Sequence, residues 1–379
     1  MKNVCRLLVL SSVLFLGTAK ADIVFNGFAS VVAGVTTSSD ETLYGYDDSI
    51  DFSNGSLFAI QASSDLGEGL SVTAQILARG EDDWSTNFEW AYVAYDVNDN
   101  LRILAGRQRV PFYMFSDFLD VSYAYAWISP PAGVYSVAFD TFDGLGALYN
   151  GSIGEFDTTL HVIYGGNNSE ITVAGEDVTP DFNDLVGASF TVNREWLTLR
   201  AAYVQTEMNI DVQATQPLAT GWKLAGFEDV ANNILVSEDT GSFMEVGFQL
   251  DFEKFIVIGE YTQLTLDGTT LGDQDSLYVM AGYRFSNMLA HITYGIEDNS
   301  KDRITGGVPT GVAPALDGLI AVTNGITDGE TLEADYITLG LRWDFHDSAA
   351  LKFEFTSYGD DLNSNNDAGL FRTAIVTVF

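Results

Sequence analysis

Residues 332–345, LEADYITLGLRWDF, alternate between apolar and polar side chains with a period of two. Ile337, Leu339 and Trp343 fall on one face of this stretch, and its other face carries tyrosine, threonine, glycine, arginine and aspartate. The stretch SFMEVGFQLDF at 242–252 repeats the pattern. Alternation with one apolar face is typical of a half-buried β-strand, so both stretches predict strands with one apolar and one polar side.

The run NFEWAYVAYDV at 87–97 fits the same pattern. Strict alternation in this run places Phe88, Trp90 and Tyr92 on the face opposite Glu89. We expect those three aromatic side chains to point away from the polar side of the sheet.

Such runs recur from Ile23 to Phe379 and predict about sixteen strands. Their connections alternate between short turns and long loops, of which the longest lie near 111–143, 207–240 and 298–331. All seven prolines fall in the predicted long loops, as expected if the strand assignment is right, because proline cannot donate to a β-ladder. Short turns at one end and long loops at the other are typical of an all-β, transmembrane, antiparallel up-and-down β-barrel. A soluble β-sandwich or solenoid is disfavoured by the bulky, uncharged outer faces and by the lack of a fixed repeat.

The first residues are predicted to be a signal peptide rather than part of the fold. Lys2 and Arg6 precede or border the apolar run 7–16, and Ala-Lys-Ala at 19–21 fits a cleavage site before Asp22. The predicted organisation is therefore a signal peptide at 1–21 followed by a barrel at 22–379.

The composition of the exported chain excludes several classes of protein. Loss of three basic residues from the 17 leaves 14 against 53 acidic residues, a formal net charge of −39. Such a balance disfavours a nucleic-acid partner, which needs a basic face. The single cysteine, Cys5, leaves with the signal peptide, so we expect neither a disulfide nor a thiolate metal site. No metal or cofactor motif stands out, and none is predicted.

Residues 111–143 are unusually long and aromatic for a loop. Loops longer than ~15 residues are uncommon unless they have a role. A loop lying inside a barrel needs one side to pack on the wall and another to face water, which accounts for aromatic side chains mixed with Asp117 and Asp120. We therefore predict that this loop folds into the lumen and constricts it.

The chain ends on an aromatic residue, Phe379, which we interpret as a signal for the outer-membrane assembly machinery.

Residues 87–164 are predicted to contain two strands joined by a tight turn, then a long loop, and then two more strands joined by a tight turn. This order resembles strands four to seven of the general porins of Gram-negative bacteria, which are sixteen-stranded trimers. The resemblance implies a homotrimer in the outer membrane, in contact with lipid and lipopolysaccharide, that passes small hydrophilic solutes and ions by passive diffusion. It also implies that acids on the loop face basic residues on the wall.

The resemblance assigns the inward-facing arginine of the fifth strand to Arg107, with Arg109 on the same face. Alternation points further basic side chains inward, so the predicted constriction comprises Asp117, Asp120, Arg107, Arg109, Arg79, Glu89, Arg200 and Arg342. The chain departs from the family where basic residues are expected: it has Leu57-Phe58 and Glu89 instead. With the strongly negative mouths, this incomplete basic ladder predicts a mild preference for cations.

Two other functions remain open from the residues alone. A barrel enzyme, protease-like or lipase-like, would need a histidine with an orienting partner and a nucleophile, and the chain has His161, His291 and His346. A calcium-binding adhesin would use acidic loops such as those at 80–85 and 360–367. The twelve-residue spacing of a dedicated calcium loop is missing, and no two of the histidines are close in sequence.

Overall fold

A computed structural model describes residues 22–173 and 175–379, so the predicted signal peptide at 1–21 lies outside the described residues. Sixteen strands form one closed antiparallel barrel, and two short strands, β8 and β9, form a separate hairpin. In chain order the strands are β1 (Ile23–Thr36), β2 (Leu57–Gly67), β3 (Leu70–Arg79), β4 (Thr86–Asp96), β5 (Leu101–Arg109), β6 (Thr141–Ile153), β7 (Phe156–Asn167), β8 (Ile171–Val173), β9 (Glu176–Val178), β10 (Asp181–Arg194), β11 (Leu197–Ile210), β12 (Val236–Asp251), β13 (Phe255–Leu266), β14 (Asp273–Phe285), β15 (Met288–Ser300), β16 (Leu332–His346), β17 (Ala349–Asp360) and β18 (Ala368–Val378).

The barrel closes through β1 and β18, which pair in register with Val31 opposite Ile375. Every barrel strand thus has a neighbour on both sides, and no lipid-facing edge leaves backbone groups unpaired. Along the strands the expected alternation holds: on β12, Val246 is 53% exposed on the outer face, whereas Glu245 is fully buried on the inner face. The predicted strand count and architecture are confirmed. No helix among the described residues is long and apolar enough to cross a membrane.

Strand β4 contains a bulge that the alternating pattern does not reveal. Gln75 of β3 pairs with Trp90, and the next residue of β3 pairs with Phe88, so Glu89 is an extra residue. Phe88 points outward, but Trp90 and Tyr92 line a cavity in the lumen. The expectation that all three aromatic side chains share the outer face is therefore wrong beyond Phe88, because the bulge shifts the alternation by one residue.

The two other long loops contain helices rather than irregular chain. The loop between β11 and β12 contains α1 (Gln216–Ala225) and α2 (Glu228–Ile234), and the loop between β15 and β16 contains α3 (Pro314–Gly329). Proline at the start of α1 and α3 suits the first turn, where a backbone N–H has no partner within the helix. Single turns of 3-10 helix occupy Gly80–Asp82, Ser116–Phe118, Ser122–Ala124, Gln213–Thr215 and Ser364–Asn366.

These three helices share a small core at the long-loop end of the barrel. Trp222 of α1 is fully buried among Ala219, Val230 and Ile234. Its indole Nε1–H donates to the hydroxyl of Thr323 on α3 at 2.8 Å, which joins two loops that are far apart in sequence. We call this group of α1, α2 and α3 the helical cap.

Candidate pore constriction

The loop between β5 and β6 spans 110–140 and lies inside the barrel, slightly shorter than the predicted 111–143 because β6 begins at Thr141. Its aromatic side chains pack on inward-facing residues of the wall. The ring of Phe112 lies 4.8 Å from that of Phe243 on β12, and the ring of Trp127 lies 5.4 Å from that of Tyr278 on β14. The prediction that this loop, here called the constriction loop, folds into the lumen is confirmed.

Charged side chains of the wall hold the backbone of the constriction loop. Arg200 on β11 donates to the carbonyl of Pro111 at 2.6 Å, and Arg342 on β16 donates to the carbonyl of Tyr123 at 2.7 Å. Lys352 on β17, which is almost fully buried, donates to several loop carbonyls. Arg200 and Arg342 therefore do lie near the loop, but their charges bind its backbone instead of facing open water.

Acidic side chains of the wall accept hydrogen bonds from donors of the constriction loop. Glu260 on β13 accepts from the backbone N–H of Met114 at 2.9 Å and from the hydroxyl of Tyr135 at 2.5 Å. Glu354 on β17 accepts from the backbone N–H of Ile128 at 2.7 Å. Buried donors and acceptors that would be costly if unpaired are thus satisfied across the loop–wall contact.

The strongest charge cluster joins Asp120 of the loop to the wall strands β3, β4 and β5. Asp120 accepts from Arg79 at 2.9 Å and from Arg109, and Glu89 pairs with Arg79 at 2.8 Å and with Arg109 at 3.0 Å. Asp140, at the end of the loop, also pairs with Arg109. The Arg109 side chain is only 2% exposed and that of Asp120 only 10% exposed. We call these five residues the latch.

The two arginines of the latch set the charge state of Asp120. Burial acts to raise the pKa of the Asp120 carboxyl, but the adjacent Arg109 and Arg79 guanidinium groups outweigh it and hold that pKa below its usual range. The carboxylate is therefore ionised at neutral pH. With two basic and three acidic side chains, the latch has a small formal negative charge.

Next to the latch, an apolar contact separates two cavities. Val121 of the loop packs against Phe28, Ala59 and Leu77 of the wall. On the long-loop side lies a cavity of about 570 Å³, here called the outer cavity, whose lining includes Arg79 and Asp120. On the short-turn side lies a cavity of about 600 Å³, here called the inner cavity.

The remaining residues expected at the constriction lie in different places. Asp117 is exposed and lines the inner cavity together with Trp90 and Tyr92. Arg107 does not face the pore: it pairs with Asp143 of β6 at 2.6 Å on the outer face, in register with exposed residues of β4 and β6. The expectation that Arg107 and Arg109 share an inward face is wrong. Arg109 lies beyond the last β4–β5 pair, where its side chain turns to the latch.

Two members of the site were not singled out from the sequence. Asp140 belongs to the predicted loop, and its position three residues before Asp143, the paired aspartate of β6, gave no hint of its partner. Val121 is an isolated aliphatic residue between an acid and a serine. Only the three-dimensional pairing across the lumen identifies either one.

The chain end closes the barrel wall on the short-turn side. The backbone N–H of Phe379 donates to the carbonyl of Gly27 at 2.9 Å, and Gly27 donates back at 2.8 Å. The Phe379 ring is exposed and lies 6.0 Å from the outward-facing Phe58 ring. The Phe379 ring therefore lies on the outer face, at the seam between β1 and β18.

No cluster of three or more histidine, cysteine, aspartate or glutamate side chains at 22–173 and 175–379 has the arrangement of a metal site.

Residues 9–366 match the family model described as Gram-negative porin. The chain belongs to the Gram-negative porin family. This porin is accordingly a diffusion channel of the outer membrane.

Solved structures with the same fold include porins and channels from several bacteria. The outer membrane channel DcaP of Acinetobacter baumannii is 12% identical over 95% of this chain and 97% of its own, with a TM-score of 0.60. Salmonella typhi OmpF, solved with daunomycin, is 13% identical over 96% and 99%, with a TM-score of 0.60. The anion-selective porin from Comamonas acidovorans is 14% identical over 95% and 100%, with a TM-score of 0.59. At these identities the likeness concerns the fold. A search of curated proteins found no match.

Proposed function

We propose that this porin passes small hydrophilic solutes and inorganic ions past the constriction loop, with a mild preference for cations, and catalyses no reaction. The observation that carries the proposal is the latch, where three carboxylates surround two arginines at the contact between the constriction loop and strands β3 to β5. A net negative group in a confined, weakly screened space attracts cations.

The basic side chains that would oppose this preference are already engaged. Arg200 and Arg342 bind loop carbonyls, and Arg107 lies on the outer face beside Asp143. The formal charge of −39 for residues 22–379 makes the mouths negative as well. The fold itself does not decide the sign, since the structurally similar Comamonas acidovorans protein is described as anion-selective.

Reversal potentials across a planar bilayer in a tenfold salt gradient test the selectivity. We expect a cation-selective potential that shrinks as salt rises, because entrance fields are screened over about 8 Å at physiological ionic strength. Arg107→Gln is the matched control and should leave the potential unchanged. An anion-selective wild-type channel would contradict the proposal.

The absence of catalysis is supported by the surroundings of the histidines. His161 on β7 and His291 on β15 lie on separate strands, and each has a buried ring nitrogen without a hydrogen-bond partner in the described part of the chain. A general base needs an orienting partner and a nucleophile within hydrogen-bonding reach. Esterase and protease assays on the purified porin, with His161→Gln and His291→Gln as variants, test this part. Turnover lost in either variant would contradict it.

We further propose that the porin is a homotrimer whose exposed belt contacts lipid and whose acidic loops contact lipopolysaccharide through divalent cations. One of the similar structures, OmpT of Vibrio cholerae, is described in a trimer form, with a TM-score of 0.54 and 12% identity. The Arg107–Asp143 pair also supports an interface, because charges on an outer barrel face are costly in lipid. Mass measurement in nanodiscs tests the trimer, and a monomer would contradict it.

A further inference from the structure

An apolar cavity of about 140 Å³ lies between the constriction loop, the wall from β10 to β13 and the β8–β9 hairpin. Its lining is unusual for the lumen of a porin, which is generally polar. The side chains that form most of it are phenylalanine, leucine, isoleucine, valine and methionine, and include Phe112, Phe139, Phe182, Met208, Phe243 and Leu266.

The aromatic rings of this cavity form a continuous wall. Phe139 of the loop stacks on Phe182 of β10 with ring centres 4.5 Å apart. Phe112 meets Phe243 edge to face at 4.8 Å and Phe139 edge to face at 5.6 Å. Offset and edge-to-face contacts are the arrangements that aromatic rings prefer, so a further ring would find favourable partners there.

A water molecule in this cavity would find few hydrogen-bond partners. Thr206 contributes a hydroxyl on the inner face of β11, and that hydroxyl already donates to the carbonyl of Asn183 at 2.9 Å. A buried water needs two to four polar partners, whereas an apolar cavity of roughly 150 Å³ lined by similar side chains stays dry and binds benzene. The volume here is close to that value.

The cavity is reached from the lumen. Val137, Ala138 and Phe139 of the constriction loop line both this cavity and the outer cavity. Ala138 is exposed, so a small molecule in the outer cavity meets the apolar cavity directly beside it.

We propose that this cavity is a binding site for a small uncharged aromatic molecule of about the size of benzene. Each bound ring removes apolar surface from water and contacts the rings of Phe112, Phe139 and Phe182. The site does not depend on the proposed function: binding requires only the cavity, whereas selectivity concerns the latch, whose residues do not line this cavity.

The test is a titration of fluorobenzene followed by fluorine NMR, with the porin held in lipid nanodiscs. Ala138→Phe places a ring in the cavity opening, and Ala132→Phe is the matched control, because Ala132 lies on the same loop and lines only the outer cavity. We expect a saturable shift with wild type and control, and a loss of affinity of about tenfold or more with Ala138→Phe. Partition into lipid gives a linear, unsaturable contribution that is equal in all samples.

A second variant keeps the test decisive if Ala138→Phe does not assemble. Leu271→Asn introduces an amide into the lining from the loop between β13 and β14, outside the strand ladder. It should weaken binding by about tenfold through lost apolar contact. A purely linear response in the wild-type porin, or unchanged saturable binding in the assembled variants, would overturn the proposal.

Discussion

Replacing Asp120 with asparagine is expected to loosen the part of the constriction loop that contacts the wall and to raise the conductance of single channels. The substitution keeps the shape of the side chain but removes the charge that both Arg79 and Arg109 bind. The loop remains in the lumen, because Arg200 and Arg342 still hold its backbone at Pro111 and Tyr123.

The magnitude follows from the burial of the latch. Removing one partner of a buried ion pair costs about 3–5 kcal/mol. Arg79 is 21% exposed, and Glu89 and Asp140 still pair with the two arginines, so the lower end, about 3 kcal/mol, is appropriate here. At about 1.4 kcal/mol per factor of ten, the equilibrium between seated and displaced loop segment shifts by roughly a hundredfold. The apolar contact next to Asp120, burial of Val121 against β1–β3, contributes only about 1.5 kcal/mol.

The assay is single-channel recording in planar bilayers at one salt concentration. Asp117→Asn is the matched control: it is the same change on the same loop, at an exposed residue that makes no ion pair among those of the described chain. We expect a larger or more frequently open conductance for Asp120→Asn than for Asp117→Asn. Equal conductances in two correctly assembled variants would refute the role assigned to the latch.

Three further outcomes are expected. The difference in conductance between wild type and Asp120→Asn should persist from pH 8 to pH 5 and disappear only below about pH 4. A carboxyl with a lowered pKa stabilises the seated loop above its usual pKa and loses that effect as pH falls through the lowered one. A difference that disappears near pH 6 in a conductance titration of both proteins would contradict this. Deleting 114–130 should enlarge the conductance, because it removes part of the loop from the lumen. It should also lower the temperature at which the barrel unfolds on heated SDS gels, since it removes Trp127 and its wall contacts. An unchanged conductance in an inserted barrel would be inconsistent with a loop in the lumen. Trp222→Ala should destabilise the helical cap by about 3–5 kcal/mol and make the cap easier to cleave by protease. The change in migration of the barrel on SDS gels after heating should stay the same. Equal protease resistance would show that the cap does not depend on this side chain.

The alternation of residues along the strands was sufficient to predict the barrel, because each strand has one face to lipid and one to the lumen. The same rule failed at β4, where one extra residue at Glu89 moved Trp90 and Tyr92 into the lumen. The assignment of Arg107 to the wrong face came from the family resemblance and not from alternation. Bulges change side-chain direction without any local signal in composition.

The constriction was predictable in outline but not in its pairings. Loop length and aromatic content indicated a segment packed inside the wall, and the family resemblance implied acids on the loop opposite basic residues of the wall, without pairing Asp120 with Arg79. Alternation tells which side of a strand a residue occupies, but not which residue of a distant loop lies opposite it. The helical cap was missed because α1 is only ten residues long and because the buried face of α3 includes Thr323 and Thr327, which interrupt the apolar pattern that would predict a helix.

The seam between β1 and β18 has a consequence for how the chain acquires its structure. Phe28 pairs with Val378, so the last contact of the cylinder joins the two extremes of the polypeptide. Contacts between residues that are distant in sequence slow folding, because a large loss of chain entropy precedes the stabilisation that the contact gives. Until the final strand has emerged, the growing sheet has two open edges that invite pairing with other chains. The porin must therefore be kept unfolded until its synthesis is complete, and a chain that stops short of β18 is left as an aggregation-prone open sheet.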